Sequence, residues 1–165
     1  MQNLPEPAQR AEKQAQQEQA KKKEPPKKPN IYAPFTLVSE FTNNKQVCGA
    51  KFSPCGNFVV AGGMVGGIYR WDATKEFAPL PDLTGHGGWI QALTFAPHST
   101  KFYSGDSWGR LRAWDAAQAD DKPLWKVDDA HAAWIRQLAV SPDGKLVATA
   151  GRDGFVRLWD AVTGK

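Results

Sequence analysis

The chain has 165 residues, 41% hydrophobic and 11% aromatic, with a formal charge of +4, a composition that suits a globular core rather than a fibrous chain. No apolar run approaches the ~18–20 residues that cross a bilayer as a helix, and the opening MQNLPEPAQR lacks the apolar stretch of a secretory signal. Cys48 and Cys55 are too few and too oddly spaced for a metal knuckle, so a reduced, cytoplasmic protein is expected.

Residues 1–30 differ from the rest. They carry seven Lys/Arg against four Glu, so the basic character sits here and the remaining residues are close to neutral. With one Leu and no aromatic, the segment has too little apolar surface to offset its ordering entropy, and it reads as a disordered tail. Residues 8–23 have high helix propensity but no apolar stripe. Pro25, Pro26 and Pro29 then favour extended chain. Lys21, Lys22, Lys23, Lys27 and Lys28 suit a solvated linker. A second reading makes them a tether to nucleic acid or an anionic membrane, although no aromatics interleave them as a stacking site would need.

From residue 31 onward the pattern changes to short β-branched and aromatic runs bounded by turn residues, which predict strands. A first run, 34–41 (PFTLVSEF), stands alone. Further runs recur in groups: 47–53, 57–62, 67–72 and near 76–82; then 90–95, 101–105, 110–115 and near 123–127; then 135–141, 145–150 and 155–160. The third group lacks a fourth strand before Thr163, Gly164 and Lys165. Trp-Asp closes the third strand of each group, at Trp71-Asp72, Trp114-Asp115 and Trp159-Asp160, at intervals of 43 and 45 residues. The turns at Ser53-Pro54, Ala96-Pro97 and Ser141-Pro142 keep the same intervals, and His86 and His131 each stand 28 residues before their Trp. Such a period means one supersecondary unit stacked on copies of itself.

In these motifs the chain resembles the WD40-repeat family over about residues 35–165. The third copy, AHAAWIRQLAVSPDGKLVATAGRDGFVRLWD, matches along its whole length. The resemblance implies an all-β fold of three antiparallel blades from a β-propeller. Blade one covers about 46–82, blade two about 86–128 and blade three about 131–165, with 34–41 a candidate outer strand. Three blades cannot close a ring, since propellers run from about four to eight. The chain is then a piece of a longer propeller whose activity lies in other blades, or two chains pair into a six-bladed ring by exchanging 34–41. In both cases a lone chain exposes apolar blade faces and unpaired strand edges, so self-association is expected.

The resemblance also implies a non-catalytic scaffold that binds protein partners on its upper rim. It assigns Trp159, Thr149, His131 and Asp153 to a structural hydrogen-bond relay from indole to hydroxyl to imidazole to turn carboxylate, not to a catalytic triad. Blade two keeps His86, Ser104 and Trp114, with Trp108 at the aspartate position. Blade one keeps only Trp71, with Asn43, Ala61 and Val65 at the other three places. Blade one, rich in glycine at Gly62, Gly63, Gly66 and Gly67, is therefore expected to be the loosest. On the rim, Trp108, Trp89 and Trp134, with Arg110, Arg136 and Arg152 nearby, are the candidates for partner binding. Packing between blades is the alternative for Trp89 and Trp134. His86, His98 and His131 lack acidic or thiol companions at ligand spacing. AGGMVGG lacks the Lys-Ser/Thr of a phosphate loop, and no nucleophile elbow is present. No metal, cofactor or enzymatic role is expected.

Overall fold

The computed structural model describes residues 37, 40 and 45–165. The tail at 1–30 lies outside the described residues. Of the candidate outer strand at 34–41, only Leu37 and Glu40 are described, both exposed and in no strand.

Eleven strands form three antiparallel sheets among the described residues. The first sheet runs β1 (Val47–Phe52), β2 (Phe58–Gly63), β3 (Ile68–Asp72) and β4 (Ala78–Leu83), in that spatial order. The second repeats it with β5 (Ile90–Phe95), β6 (Lys101–Asp106), β7 (Leu111–Asp115) and β8 (Trp125–Val127). The third has β9 (Ile135–Val140), β10 (Leu146–Gly151) and β11 (Val156–Asp160), and β11 is its outer edge. Each sheet is a blade of consecutive hairpins, and the first strands β1, β5 and β9 lie side by side. They line a groove of about 170 Å³, with Lys51, Gln91 and Gln137 on its walls.

The turns follow from local chemistry. Ser53 Oγ accepts the N–H of Phe58 at 3.0 Å and Ser141 Oγ that of Leu146 at 2.9 Å, so the hydroxyl replaces a backbone acceptor in the hairpin. Gly56 and Gly144 supply the positive φ these turns need, at 77° and 73°. In blade two the corresponding turn places His98 at φ 52°, which makes His98 an exposed turn residue.

Strand alternation sends one set of side chains to each neighbouring blade. Between blades one and two, Val60, Ile68 and Leu83 meet Ile90, Phe102 and Trp114. Between blades two and three, Tyr103, Leu111 and Ala113 meet Ile135, Leu138 and Val147. Fully burying one such large side chain contributes about 1.5–3 kcal/mol, so these two layers hold the stack together. Gly62 and Gly63 serve this packing: a Cβ on Gly62 would meet the carbonyl and side chain of Ile90, and one on Gly63 the Tyr69 ring. The glycines of β2 thus allow close approach, where the sequence suggested slackness.

The joints also carry polar clasps. Arg70, buried, donates from Nη1 to the carbonyls of Ala116 and Gln118, both at 2.9 Å, and from Nε and Nη2 to Pro81. At the next joint Tyr103 Oη and Trp125 Nε1 both donate to the Ala161 carbonyl at 3.1 Å. Ala116 and Ala161 each follow the Trp-Asp pair of their own blade. The side of blade three that continues the stack is bare, with Val156 72% and Leu158 64% exposed.

Candidate functional site

In blade three the relay is assembled from four elements. Trp159 on β11 donates its indole N–H to Thr149 Oγ1 on β10 at 2.9 Å. Thr149 Oγ1 stands 2.7 Å from Nε2 of His131, which comes from the loop before β9. His131 Nδ1 stands 2.8 Å from Asp153 Oδ1 in the β10–β11 turn. Asp153 also accepts the N–H groups of Phe155 and Ala132 and a 2.8 Å ion pair from Arg157. Burial opposes ionisation of Asp153, but the bonds from His131 and Arg157 outweigh it and hold the carboxyl far below its ordinary range.

Blade two carries a complete relay as well, which corrects the expectation that Trp108 displaces the carboxylate. Trp114 Nε1 donates to Ser104 Oγ at 2.8 Å, Ser104 Oγ lies 2.6 Å from His86 Nε2, and His86 Nδ1 lies 2.8 Å from Oδ2 of Asp106. Asp106 ends β6, two residues after Ser104, so both side chains fall on one face of the strand. Its Oδ1 accepts the N–H groups of Trp108 and Arg110, both at 2.9 Å, and so folds the turn. Burial is the main influence on His86 and pushes its pKa down, against the pull of Asp106. For Asp106 burial acts upward, but the bonds from His86 and the turn amides prevail and lower it. A neutral imidazole that donates from Nδ1 and accepts at Nε2 satisfies every member of the chain.

At the position of Asp106, blade three has Gly151, where an added Cβ would collide with His131 Nδ1. The carboxylate must therefore come from further round the turn, at Asp153. This leaves Arg157 free to pair with Asp153, whereas its blade-two counterpart Arg112 donates to Gly85 O and to Asp128.

Blade one has no such chain among the described residues. Ala61, buried in β2, offers no hydroxyl, Val65 is exposed in the turn, and Asn43 lies outside the described residues. Trp71 is buried with Val59 and Tyr69. The Tyr69 ring lies against Gly63, the counterpart of Asp106, with its hydroxyl buried and without a hydrogen-bond partner among the described residues.

The loops that bring the histidines form one rim with the turns that bring the carboxylates. Ser107 N–H donates to Trp89 O and Arg152 N–H to Trp134 O, tying each turn to the loop of its own blade. His131 N–H donates to Gly109 O, tying blade two to blade three. Trp89 packs on Trp134 with centroids 5.8 Å apart, so these two indoles bridge blades, yet Trp89 stays 42% exposed. Trp108 is 59% exposed. Arg110 lies over the Trp108 ring at 4.8 Å and Arg136 over the Trp134 ring at 4.6 Å, while Arg152 is exposed beside them. Sequence reasoning passed over Phe155, exposed on the same rim under Arg157 at 4.7 Å.

Both histidines are enclosed, with imidazole side chains 0% exposed, so neither relay presents a nucleophile or a base to solvent. The exposed chemistry of this surface is mainly aromatic and guanidinium, from Trp89, Trp108, Phe155 and the arginines, with the carboxylates of Asp128 and Asp129 in the loop before His131. Among the described residues no group of three or more His, Cys, Asp or Glu is placed to hold a metal ion.

The family described as "WD domain, G-beta repeat" matches the chain at residues 35–72, 77–115 and 122–160. No curated protein matches it in sequence. Among solved structures, a chain of the "Crystal Structure of Mitotic Checkpoint Complex" is similar, with a TM-score of 0.66 at 24% identity. The likeness covers 79% of this chain and 40% of that chain, so the present chain spans less than half of the other's length.

Proposed function

Because this chain belongs to the WD40-repeat family, we propose that it is a non-catalytic interaction module whose upper rim, over blades two and three, holds a protein partner. One observation carries this reading: Trp108 is 59% exposed, on a turn fixed from below by the buried carboxylate of Asp106. A large exposed aromatic on a rigid support makes an interface anchor at little entropic cost. Trp89 and Trp134 extend the apolar surface, and Arg110, Arg136 and Arg152 surround it with donors. The buried relays fix the shape of the rim and take no part in contact.

A photo-crosslinking amino acid placed at 108 in the full chain, with a second placed at Asp143 on the opposite turns as control, tests the reading. Crosslinks to one partner from 108 only, lost on Trp89→Ala, support it. Crosslinks that form equally from both positions, or that vanish on deletion of residues 1–30, would move the binding to another surface.

A further inference from the structure

The rim contains a charge pattern that points to the chemistry of its partner. The two carboxylates of its turns are committed internally: Asp106 to His86 and two turn amides, Asp153 to His131 and Arg157. In the loop before His131, Asp128 is paired with Arg112 and Lys126, and Asp129 beside it is exposed. Arg110, Arg136 and Arg152 take part in none of the ion pairs among the described residues. Arg136 gives one N–H to Gln91 Oε1 at 3.0 Å, which leaves most of its donors unused. Arg110 and Arg136 are also held over indole rings, at 4.8 and 4.6 Å. A guanidinium resting on an aromatic face has already lost much of its rotamer freedom, while its in-plane N–H edges stay available.

The two arginine–indole pairs belong to one surface. Gly87 and Gly88 lie against the Trp108 ring, and Gly87 also lies beside Arg110 Nη1. Trp89 follows them and packs on Trp134, over which Arg136 sits. Arg110 and Trp108 are thus joined to Trp89, Trp134 and Arg136 through the backbone of Gly87 and Gly88.

We propose that this surface recognises an acidic, extended segment of a partner protein, with carboxylates forked by Arg110 and Arg136 and apolar side chains lying on Trp89 and Trp108. The proposal rests on the reading of the rim as a protein-binding surface and supplies the partner's chemistry. A forked guanidinium–carboxylate pair is bidentate and charge-assisted, and it is favoured where the guanidinium is held in advance. Single-stranded nucleic acid fits less well. Binding of that kind needs a basic groove that tracks the phosphate backbone past the stacking aromatics, and here exposed Asp129 stands in the loop before His131. The blades, nearly neutral once the tail is set aside, also lack the broad positive field of a nucleic-acid groove.

Fluorescence anisotropy on the full chain tests this with three labelled probes: a short alternating Glu/Ala peptide, its Gln/Ala counterpart and oligothymidylate of similar length. The Glu/Ala peptide is expected to bind in preference to the other two, and Arg110→Gln with Arg136→Gln to weaken it about tenfold or more. Because the tail lysines are the same in both proteins, the difference between them reports the rim alone. Arg110→Lys, which keeps charge but not the fork, should fail to restore full affinity, with an unchanged near-ultraviolet circular dichroism spectrum showing that the fold is kept. Absence of Glu/Ala binding, equal binding by the double variant, or tighter oligothymidylate binding lost in that variant would each overturn the proposal. A partner that crosslinks at 108 while the Glu/Ala peptide fails to bind would sink the acidic chemistry and leave the rim reading standing.

Discussion

Asp106 and Asp153 each stand 2.8 Å from the Nδ1 of a buried histidine, yet they come from different points of the repeat, one from the end of β6 and the other from the turn after β10. The fold demands a carboxylate at one place in space and accepts it from two places in sequence. Asp106→Ala should therefore cost blade two about 2–4 kcal/mol, because His86 Nδ1 and two turn amides lose their acceptor in a buried setting. Trp108→Ala, two residues away, should cost no more than about 1 kcal/mol, mainly its contact with Arg110. Urea unfolding of the two variants checks this. Equal losses would mean that Trp108, not Asp106, supports the turn.

Gly151→Ala tests the same relationship from the other side. The new methyl would press on His131 and Asp153, and overpacking of this kind costs about 1–3 kcal/mol. In Gly154→Ala nothing lies within 4 Å of the added Cβ, and only the positive φ of 84° opposes it, at about 1 kcal/mol. Thermal midpoints of the two variants should fall in that order.

Arg70 is buried among carbonyls, and among the described residues none of its bonds goes to a carboxylate. Arg70→Ala should cost about 2–4 kcal/mol, since it opens a cavity and strands the acceptors of Pro81, Ala116 and Gln118. Hydrogen exchange should then rise first in blade one and in the β7–β8 loop. A rise confined to blade three would count against the clasp.

Acid should weaken the fold, and each resolved relay shift has the same sign. His86 is held below its ordinary 6.5 chiefly by burial, so below that pH the unfolded chain takes up a proton that the folded chain refuses, and stability falls. Asp106 and Asp153 are held below 3.8 by their partners. Their contribution is complete above that value and is lost on further acidification, as pH falls through their folded values. Denaturant midpoints should hold steady above pH 6.5, decline towards pH 5 and drop again below 3.8. His86→Gln should flatten the first decline. A midpoint that rises on acidification would contradict this linkage.

The bare side of blade three predicts self-association of the full chain. The counterparts of Val156 and Leu158 in blade two, Leu111 and Ala113, are buried against blade three. Light scattering should show mass above the 18.1 kDa monomer, and Leu158→Lys should lower it. A monodisperse monomer with a sharp, cooperative transition would show that this surface needs no cover.

The strands and their order were legible because period-two alternation, the turns at Ser53-Pro54, Ala96-Pro97 and Ser141-Pro142, and Trp-Asp recur with little variation. Ile90–Phe95 was placed to the residue, and the other runs from 47 to 160 to within about two residues, while the run at 34–41 falls almost wholly outside the described residues. Asp106 was missed for a definite reason. Aligning repeats by position assigns the carboxylate role to position 108, whereas the strand geometry that puts Ser104 and Asp106 on one face would have found it. Arg70 was hidden because its partners are backbone carbonyls, which leave no signature in side-chain spacing. The packing of Trp89 on Trp134 joins two repeats, and no pattern within one repeat reveals it.

The two interblade clasps have different donors, a guanidinium at one joint and a phenol with an indole at the other, but both end on the carbonyl of the alanine after Trp-Asp. A main-chain carbonyl survives any substitution of its own side chain. Mutation can therefore remake the donor while the socket persists, so copies of such a unit can drift far apart in sequence and still be assembled side by side. A duplicated unit inherits its half of the fastening for free.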